Sequence, residues 1–197
     1  IQYTVGGSLS DATAEVTEYF NVGRTDPAGR WYKGRKVGEI WGYRASGIIQ
    51  TQEEADEYNK LDLSYLSGQP WKPGDVKYVD LNGDGAINRG GNRLDGEDGE
   101  IDMGDQTIIG NTTPRYQYTF NGSISWKGLS LSMMFQGVGK RDWNPGSGSV
   151  YFWGSSSFAQ VTVFKQHLDY WTPENPDAYY PNPYTAAAGA IGRFRNK

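Results

Sequence analysis

The strongest constraint on this chain is the alternation between Pro114 and Gly139. One parity runs Tyr116, Tyr118, Phe120, Gly122, Ile124, Trp126, and the other runs Arg115, Gln117, Thr119, Asn121, Ser123, Ser125. After Lys127-Gly128 the pattern restarts, with Leu129, Leu131, Met133 and Phe135 against Ser130, Ser132, Met134 and Gln136. Period two puts the apolar residues on one face of a strand and the polar residues on the other. Two such runs joined by a Gly-containing turn predict an antiparallel hairpin. Each run approaches the roughly 9–11 residues with which a tilted strand crosses a bilayer. Tyr116 and Tyr118 at one end and Trp126 at the other stand where an interfacial aromatic girdle lies in a membrane barrel. The polar face is small and, apart from Arg115, uncharged, as a wet lumen requires. A half-buried hairpin in a soluble β-sandwich has the same alternation, so the flanking chain has to decide.

Both flanks are long. Residues 1 to 10 form another alternating run, with Ile1, Tyr3, Val5 and Leu9 against Gln2, Thr4, Ser8 and Ser10. Residues 11 to 113 then separate this strand from the hairpin, and residues 138 to 197 form a second long loop. A connection of the first kind is foreign to a compact soluble domain. A tight turn at one end and long excursions at the other is the asymmetry of an outer-membrane barrel. The expected fold is therefore mainly β: antiparallel strands of a partial transmembrane β-barrel, with long extracellular loops and one or two short helices. The chain reads as a piece of something longer.

Composition agrees with that reading. The chain has 27 Gly, 14 Tyr and 7 Trp in 197 residues, which suits β-structure and long ordered loops better than a helical bundle. A net charge of -4 gives no electrostatic reason to expect nucleic acid. Without Cys there is neither a disulfide framework nor a thiolate metal site. No apolar run is long enough for a membrane helix, which does not bear on alternating barrel strands.

Within the first excursion, Val37 to Gln50 predicts a short strand or hairpin and Asp75 to Val79 a short strand. Glu53 to Leu61 predicts a short helix, with Thr51 as N-cap and acids in its first turn. Phe158 to Trp171 has Phe164, Leu168 and Trp171 at helical spacing and predicts another, against its β-branched Val161-Thr162-Val163.

The sharpest local motif is Asp80-Leu81-Asn82-Gly83-Asp84-Gly85-Ala86-Ile87. Side-chain oxygens fall at the first, third and fifth positions, Gly at the sixth, the Ala86 carbonyl at the seventh and an apolar anchor at the eighth. Calcium takes about 6–8 hard oxygens, and this spacing wraps them around one point. The usual closing acid is absent, because Gly91 stands in its place. Asp95 is the first candidate for closure, with Glu97, Asp98 and Asp105 as alternatives. Asp98-Gly99-Glu100-Ile101-Asp102 repeats the end of such a loop. The expected cofactor is a structural calcium held by Asp80, Asn82, Asp84, Ala86 and Asp95; a turn held by Asx hydrogen bonds gives the same sequence.

Catalytic chemistry is thin. His167 is the sole His and lies in an aromatic stretch, so no catalytic residue is assigned. Trp143, Tyr151 and Trp153, with Phe152, are candidates for substrate contact by stacking, or for packing a loop.

Several of these stretches resemble one family, the SusC/RagA-like TonB-dependent outer-membrane transporters. Gly74-Asp75-Val76-Lys77-Tyr78-Val79-Asp80-Leu81-Asn82-Gly83-Asp84-Gly85 is similar to a segment of that family, as is Ile108-Ile109-Gly110-Asn111 followed by Thr113-Pro114-Arg115-Tyr116. The stretch from Val37 to Glu54 is similar to another, with Ser46 where the family often has Asp. Phe135-Gln136-Gly137-Val138-Gly139 and Trp171-Thr172-Pro173-Glu174-Asn175-Pro176 match further on. The stretch Arg89 to Glu97 departs from the shortest family version. The resemblance implies an internal part of a barrel of about 22 strands, whose plug and TonB-contacting segment lie outside this sequence. It also implies a SusD-like surface lipoprotein as partner, TonB as energy source, oligosaccharides or peptides as cargo, and the bacterial outer membrane as location. The alternatives from other classes are a soluble calcium-stabilised extracellular carbohydrate-binding module and a secreted carbohydrate-active enzyme with a carboxylate pair.

Overall fold

The computed structural model describes residues 1–21, 24–66, 70–94, 102–146, 149–154 and 162–183. In chain order the elements are strands β1 (Gln2–Ser10), β2 (Glu39–Tyr43) and β3 (Ala45–Ile48), helix α1 (Gln52–Tyr58), strands β4 (Val76–Tyr78), β5 (Gln106–Asn111), β6 (Arg115–Trp126) and β7 (Leu129–Lys140), helix α2 (Val150–Trp153), and a 3-10 turn (Lys165–Leu168). The fold is mainly antiparallel β with few short helices, as the alternation predicts.

The long strands form one sheet in the order β1-β6-β7. Lys127 (φ +47°) and Gly128 (φ +85°) are both left-handed, the geometry of a two-residue type I′ turn, and Trp126 pairs with Leu129 across it. Strand β7 continues to Lys140, so the second excursion begins at 141 rather than 138. Strand β1 pairs antiparallel with β6, with Tyr3 opposite Ile124, Val5 opposite Gly122 and Leu9 opposite Tyr118. Because β6 sets the same parity against β7 (Phe120 with Phe135, Ile124 with Leu131), the apolar residues of all three strands share one face. That face is uncovered: Tyr3, Val5, Leu9, Phe120, Leu131 and Phe135 are all exposed.

The buried core lies elsewhere, in the first excursion. Tyr43, Ile49, Ala55, Tyr58, Leu63, Trp71, Val76, Tyr78 and Ile87 pack together. Trp71 meets Tyr58 and Tyr78 edge-on, with ring centroids 5.7 and 5.8 Å apart, and Tyr43 tilts against Tyr78 at 5.8 Å. The Tyr58 hydroxyl accepts from the Tyr78 N–H (2.9 Å) and donates to the Tyr78 carbonyl (3.1 Å). Burial pushes that hydroxyl up to about 12. The excursion thus folds as a small module instead of hanging as an open loop.

Short elements build this module. Val37 to Gln50 does not close on itself as a hairpin. Strand β2 pairs with β5 and β3 pairs with β4, so the segment crosses between two separate two-stranded sheets, with register shifts between Ile40 and Trp41 and between Ala45 and Gly47. Strand β4 lies where expected. Helix α1 has Thr51 as N-cap, whose Oγ1 accepts from the Glu54 N–H (3.2 Å). It ends at Tyr58 rather than Leu61, because the Asn59 side chain turns to bond both the N–H and the carbonyl of Trp71 (2.8 and 2.7 Å).

Glu54 joins the helix to its neighbours by accepting from the Gln50 N–H (2.8 Å) and pairing with Lys77 of β4. The Gln50 N–H first, and Lys77 after it, hold the Glu54 carboxyl below its ordinary range. A lowered folded pKa contributes stability above the unfolded value, about 4.3, that is lost as pH falls through the folded value. Melting temperature followed against pH should therefore fall on the acid side for the native chain and fall less for Glu54→Gln. An identical acid limb in both proteins would contradict this.

The expected helix over Phe158 to Trp171 is corrected. Residues 158–161 lie outside the described residues, and from 162 to 171 the only helical element is the 3-10 turn. Beyond it the Tyr180 N–H bonds the Asp169 carbonyl (2.9 Å) and the Trp171 N–H bonds the Tyr180 carbonyl (2.8 Å), strand-like pairings that a continued helix forbids.

Candidate functional site

Polar contacts close the base of the first excursion at the ends of the long strands and fasten the second excursion to it. Asp11, just past β1, forms a bidentate ion pair with Arg115 at the start of β6. The Thr112 N–H bonds the Gly38 carbonyl (2.8 Å), and the Thr113 hydroxyl and Asn111 amide bond the Val37 carbonyl (2.7 and 3.1 Å). A Cβ on Gly38 would stand 2.6 Å from both Asn111 Oδ1 and Thr113 Oγ1, so only glycine admits these side chains at its φ of +89°. The Asp142 carboxylate accepts from the Asn111 N–H (2.7 Å), and the Asp142 N–H returns to the Asn111 carbonyl (3.0 Å). Farther out, Trp171 Nε1 donates to Gln50 Oε1 (2.8 Å) and the Asn182 N–H to the Gly74 carbonyl (2.9 Å).

Between these two fastenings lies a cleft of about 560 Å³. Strands β2 to β5 supply one wall, including Ile40, Ile48 and Ile108, and the segment 142–145 with Trp153 supplies the other. Two of the three aromatics expected to touch substrate line it. Trp143 is 65% exposed and its ring is held edge-on by Phe152 at 5.7 Å. Trp153 is only 7% exposed, and its Nε1 donates to the Gly146 carbonyl (2.8 Å), so it is a buried packing residue rather than an open platform. Helix α2, which the sequence did not announce, turns it inward. Tyr151 stands outside the cleft, stacked on Phe164 at 5.8 Å. Asp142, Asn144, Arg44 and Ile108 also line the cleft and escaped the sequence reading. The flanking of Trp143 by Asp and Asn was a usable signal, whereas Ile108 was marked only as part of a family-like motif and not as a cleft residue.

His167 is structural. Its Nδ1 accepts from the Phe164 N–H (3.0 Å), which leaves the hydrogen on Nε2 to donate to the Tyr151 carbonyl (3.1 Å). Both ring nitrogens are thus engaged in holding the second excursion.

The loop from Asp80 to Ile87 closes on itself. Asp80 accepts from the Gly83 and Gly85 N–H groups (2.6 and 3.0 Å), Asn82 from Asp84, and Asp84 from the Ala86 N–H (2.8 Å). The Ala86 N–H and then the Asn82 amide hold the Asp84 carboxyl below its ordinary range, against a weaker opposing push from Asp62. Asp62 joins the loop as a parallel bridge partner of Ala86, a contact no spacing rule predicts. Fully buried Asp105 accepts from Leu81 N–H (2.7 Å) and Asn88 N–H (2.8 Å), clamping both ends of the loop. Asp95, Glu97 and Asp98 lie outside the described residues, as do Gly99, Glu100 and Ile101. Among the described residues no three His, Asp or Glu side chains form a metal cage. The half-loop that is described has the right donors for a hard cation. Asp80, Asn82 and Asp84 carry side-chain oxygens of the kind a hard cation takes, and a carboxylate oxygen that accepts one N–H keeps a further lone pair.

A three-stranded antiparallel wall, apolar on one uncovered face and polar on the other, with a type I′ turn at one end and folded excursions at the other, is part of a membrane β-barrel. No family model matches the chain. Two curated proteins of Formosa agariphila do. TonB-dependent receptor P26 is 29% identical over 167 residues, which covers 84% of this chain and 14% of that protein. TonB-dependent receptor P3 is 25% identical over 163 residues, 82% of this chain and 14% of that protein. The chain is similar to TonB-dependent receptors, proteins of the Gram-negative outer membrane, over most of its own length, and it spans about 14% of the length of these two relatives.

Proposed function

We propose that this chain is part of an outer-membrane importer of the SusC/RagA-like kind, which takes up oligosaccharides or peptides with a SusD-like surface lipoprotein and draws energy through TonB. Its role is transport, not catalysis. The observation that carries the reading is the apolar face of β1, β6 and β7, backed by a face mainly of Ser, Thr, Asn and Gln that also carries Met134 and Val138. A bilayer on one side and a wet lumen on the other give both faces a matching solvent. The alternative, a soluble calcium-stabilised carbohydrate-binding module, would leave that apolar face in water. Fractionating source cells and measuring the intact mass of the native polypeptide tests the reading. A long chain in the outer membrane supports it, and a soluble product near 21.9 kDa overturns it.

The Asp80 loop serves in this reading as a structural calcium site that stiffens the first excursion. At a free calcium concentration about 100 times Kd, binding should add about 2.7 kcal/mol of stability. The melting temperature of the native protein should therefore fall on chelation, and that fall should vanish in Asp80→Ala. A melting temperature indifferent to chelator would remove calcium from the account and leave a turn held by its own hydrogen bonds.

A further inference from the structure

The cleft between the two excursions is pinned on both sides, by Asn111–Asp142 and by Gln50–Trp171, so it is preformed rather than waiting for a ligand to shape it. Its size falls within the range of small-ligand sites, about 300–1,000 Å³. The lining carries a specific chemistry. Ile108 is 47% exposed and shares the cleft with Ile40, Ile48 and the indole of Trp143. Asp142 uses Oδ2 on the Asn111 N–H, and Asn144 uses Oδ1 on the Gly146 N–H (2.9 Å). Among the described residues, Asp142 Oδ1 and the Asn144 amide N–H therefore remain as one acceptor and one donor beside an apolar hollow. A sugar ring stacked on Trp143 would meet Asp142, Asn144 and Arg44 but would also set hydroxyls against Ile40, Ile48 and Ile108, a branched aliphatic wall that leaves them unpaired. An apolar side chain on a peptide backbone uses all of it: the hollow takes the side chain, the acceptor an amide N–H and the donor a carbonyl.

We infer that this cleft is a peptide subsite that seats one branched apolar side chain of the cargo. The inference rests on the importer reading and chooses between its two cargo classes. The test uses the full-length receptor in detergent and calorimetric titration with three probes: acetyl-Ala-Leu-Ala-amide, acetyl-Ala-Ser-Ala-amide and cellotriose. The Leu peptide should bind, and the Ser peptide roughly tenfold to a hundredfold more weakly, the factor that burial of one such side chain supplies. Cellotriose should not compete. Ile108→Thr, which keeps a β-branched residue in β5, and Trp143→Ala should each weaken the Leu peptide about tenfold while the receptor still assembles in the outer membrane. Equal binding of the two peptides, no peptide binding, competition by cellotriose, or indifference to both substitutions would overturn the inference. Any of these results in a receptor that still drives uptake leaves the importer standing, whereas a chain absent from the outer membrane fails both.

Discussion

Trp71→Ala is expected to destabilise the first excursion by about 3–5 kcal/mol, the usual cost of removing a buried indole. The ring is 1% exposed and is gripped edge-on by Tyr58 and Tyr78. Its neighbours are poorly placed to collapse into the space. Tyr78 is held in β4, and Tyr58 is held by its hydroxyl on the Tyr78 backbone, so filling the cavity would break those two hydrogen bonds. The Asn59 side chain grips the Trp71 backbone, which keeps the segment in place even when the ring is gone. The substitution should therefore leave a cavity rather than a rearranged core. Since a whole domain has only about 5–15 kcal/mol of stability, a loss of that size should be visible as early loss of protease resistance at Lys72 and Lys77 on heating. Trp143→Ala, which removes an exposed indole, should change that temperature little. Equal effects at the two positions would mean that the excursion has no core of its own.

What the sequence could and could not reveal follows from the range of the interactions. The hairpin of β6 and β7 was legible because period two and a two-residue turn are local signals. So was the N-cap of α1, since Thr51 needs only the Glu54 N–H. The partner of β1 was not legible: nothing in Ile1 to Ser10 names β6, which follows only after the whole first excursion. Strand β5 was missed for a related reason. Thr107, Ile108 and Ile109 do not alternate, and their partner β2 lies far back in the chain. The family-like motifs were easy to see, but their work was hidden. Val37-Gly38, Asn111-Thr112-Thr113, Gln50, Gly74 and Trp171 stand as separate words in the sequence; in the structure the first two hold each other within the first excursion, and Gln50 and Gly74 meet Trp171 across the two. Trp153 shows the opposite failure, because an aromatic beside Tyr151 and Phe152 reads as exposed until α2 turns its ring inward.

Phe120→Arg should block stable insertion of the native protein into the outer membrane, with Thr119→Arg as its internal control. Phe120 lies midway along β6 on the apolar face, opposite Phe135 on one side and Gly7 on the other. If that face meets lipid, an arginine near the bilayer midplane costs about 2–4 kcal/mol in a barrel strand. A neighbouring position on the same strand points to the other face, where a wet lumen hydrates the guanidinium and the cost should be small. The two substitutions share charge, side-chain volume and depth, so the difference between them isolates what each face touches. In a soluble sandwich with its apolar face covered by another sheet, Phe120→Arg would also be harmful, but the damage would appear as aggregation of a soluble chain and would not depend on lipid. The decisive readout is therefore folded, heat-modifiable receptor after refolding into bilayers of different thickness. Thr119→Arg should match the native yield in every bilayer. Phe120→Arg should recover part of its yield as the bilayer thins, because the penalty falls as position 120 approaches the interface. A yield that ignores bilayer thickness would mean that the apolar face of β1, β6 and β7 is covered by protein.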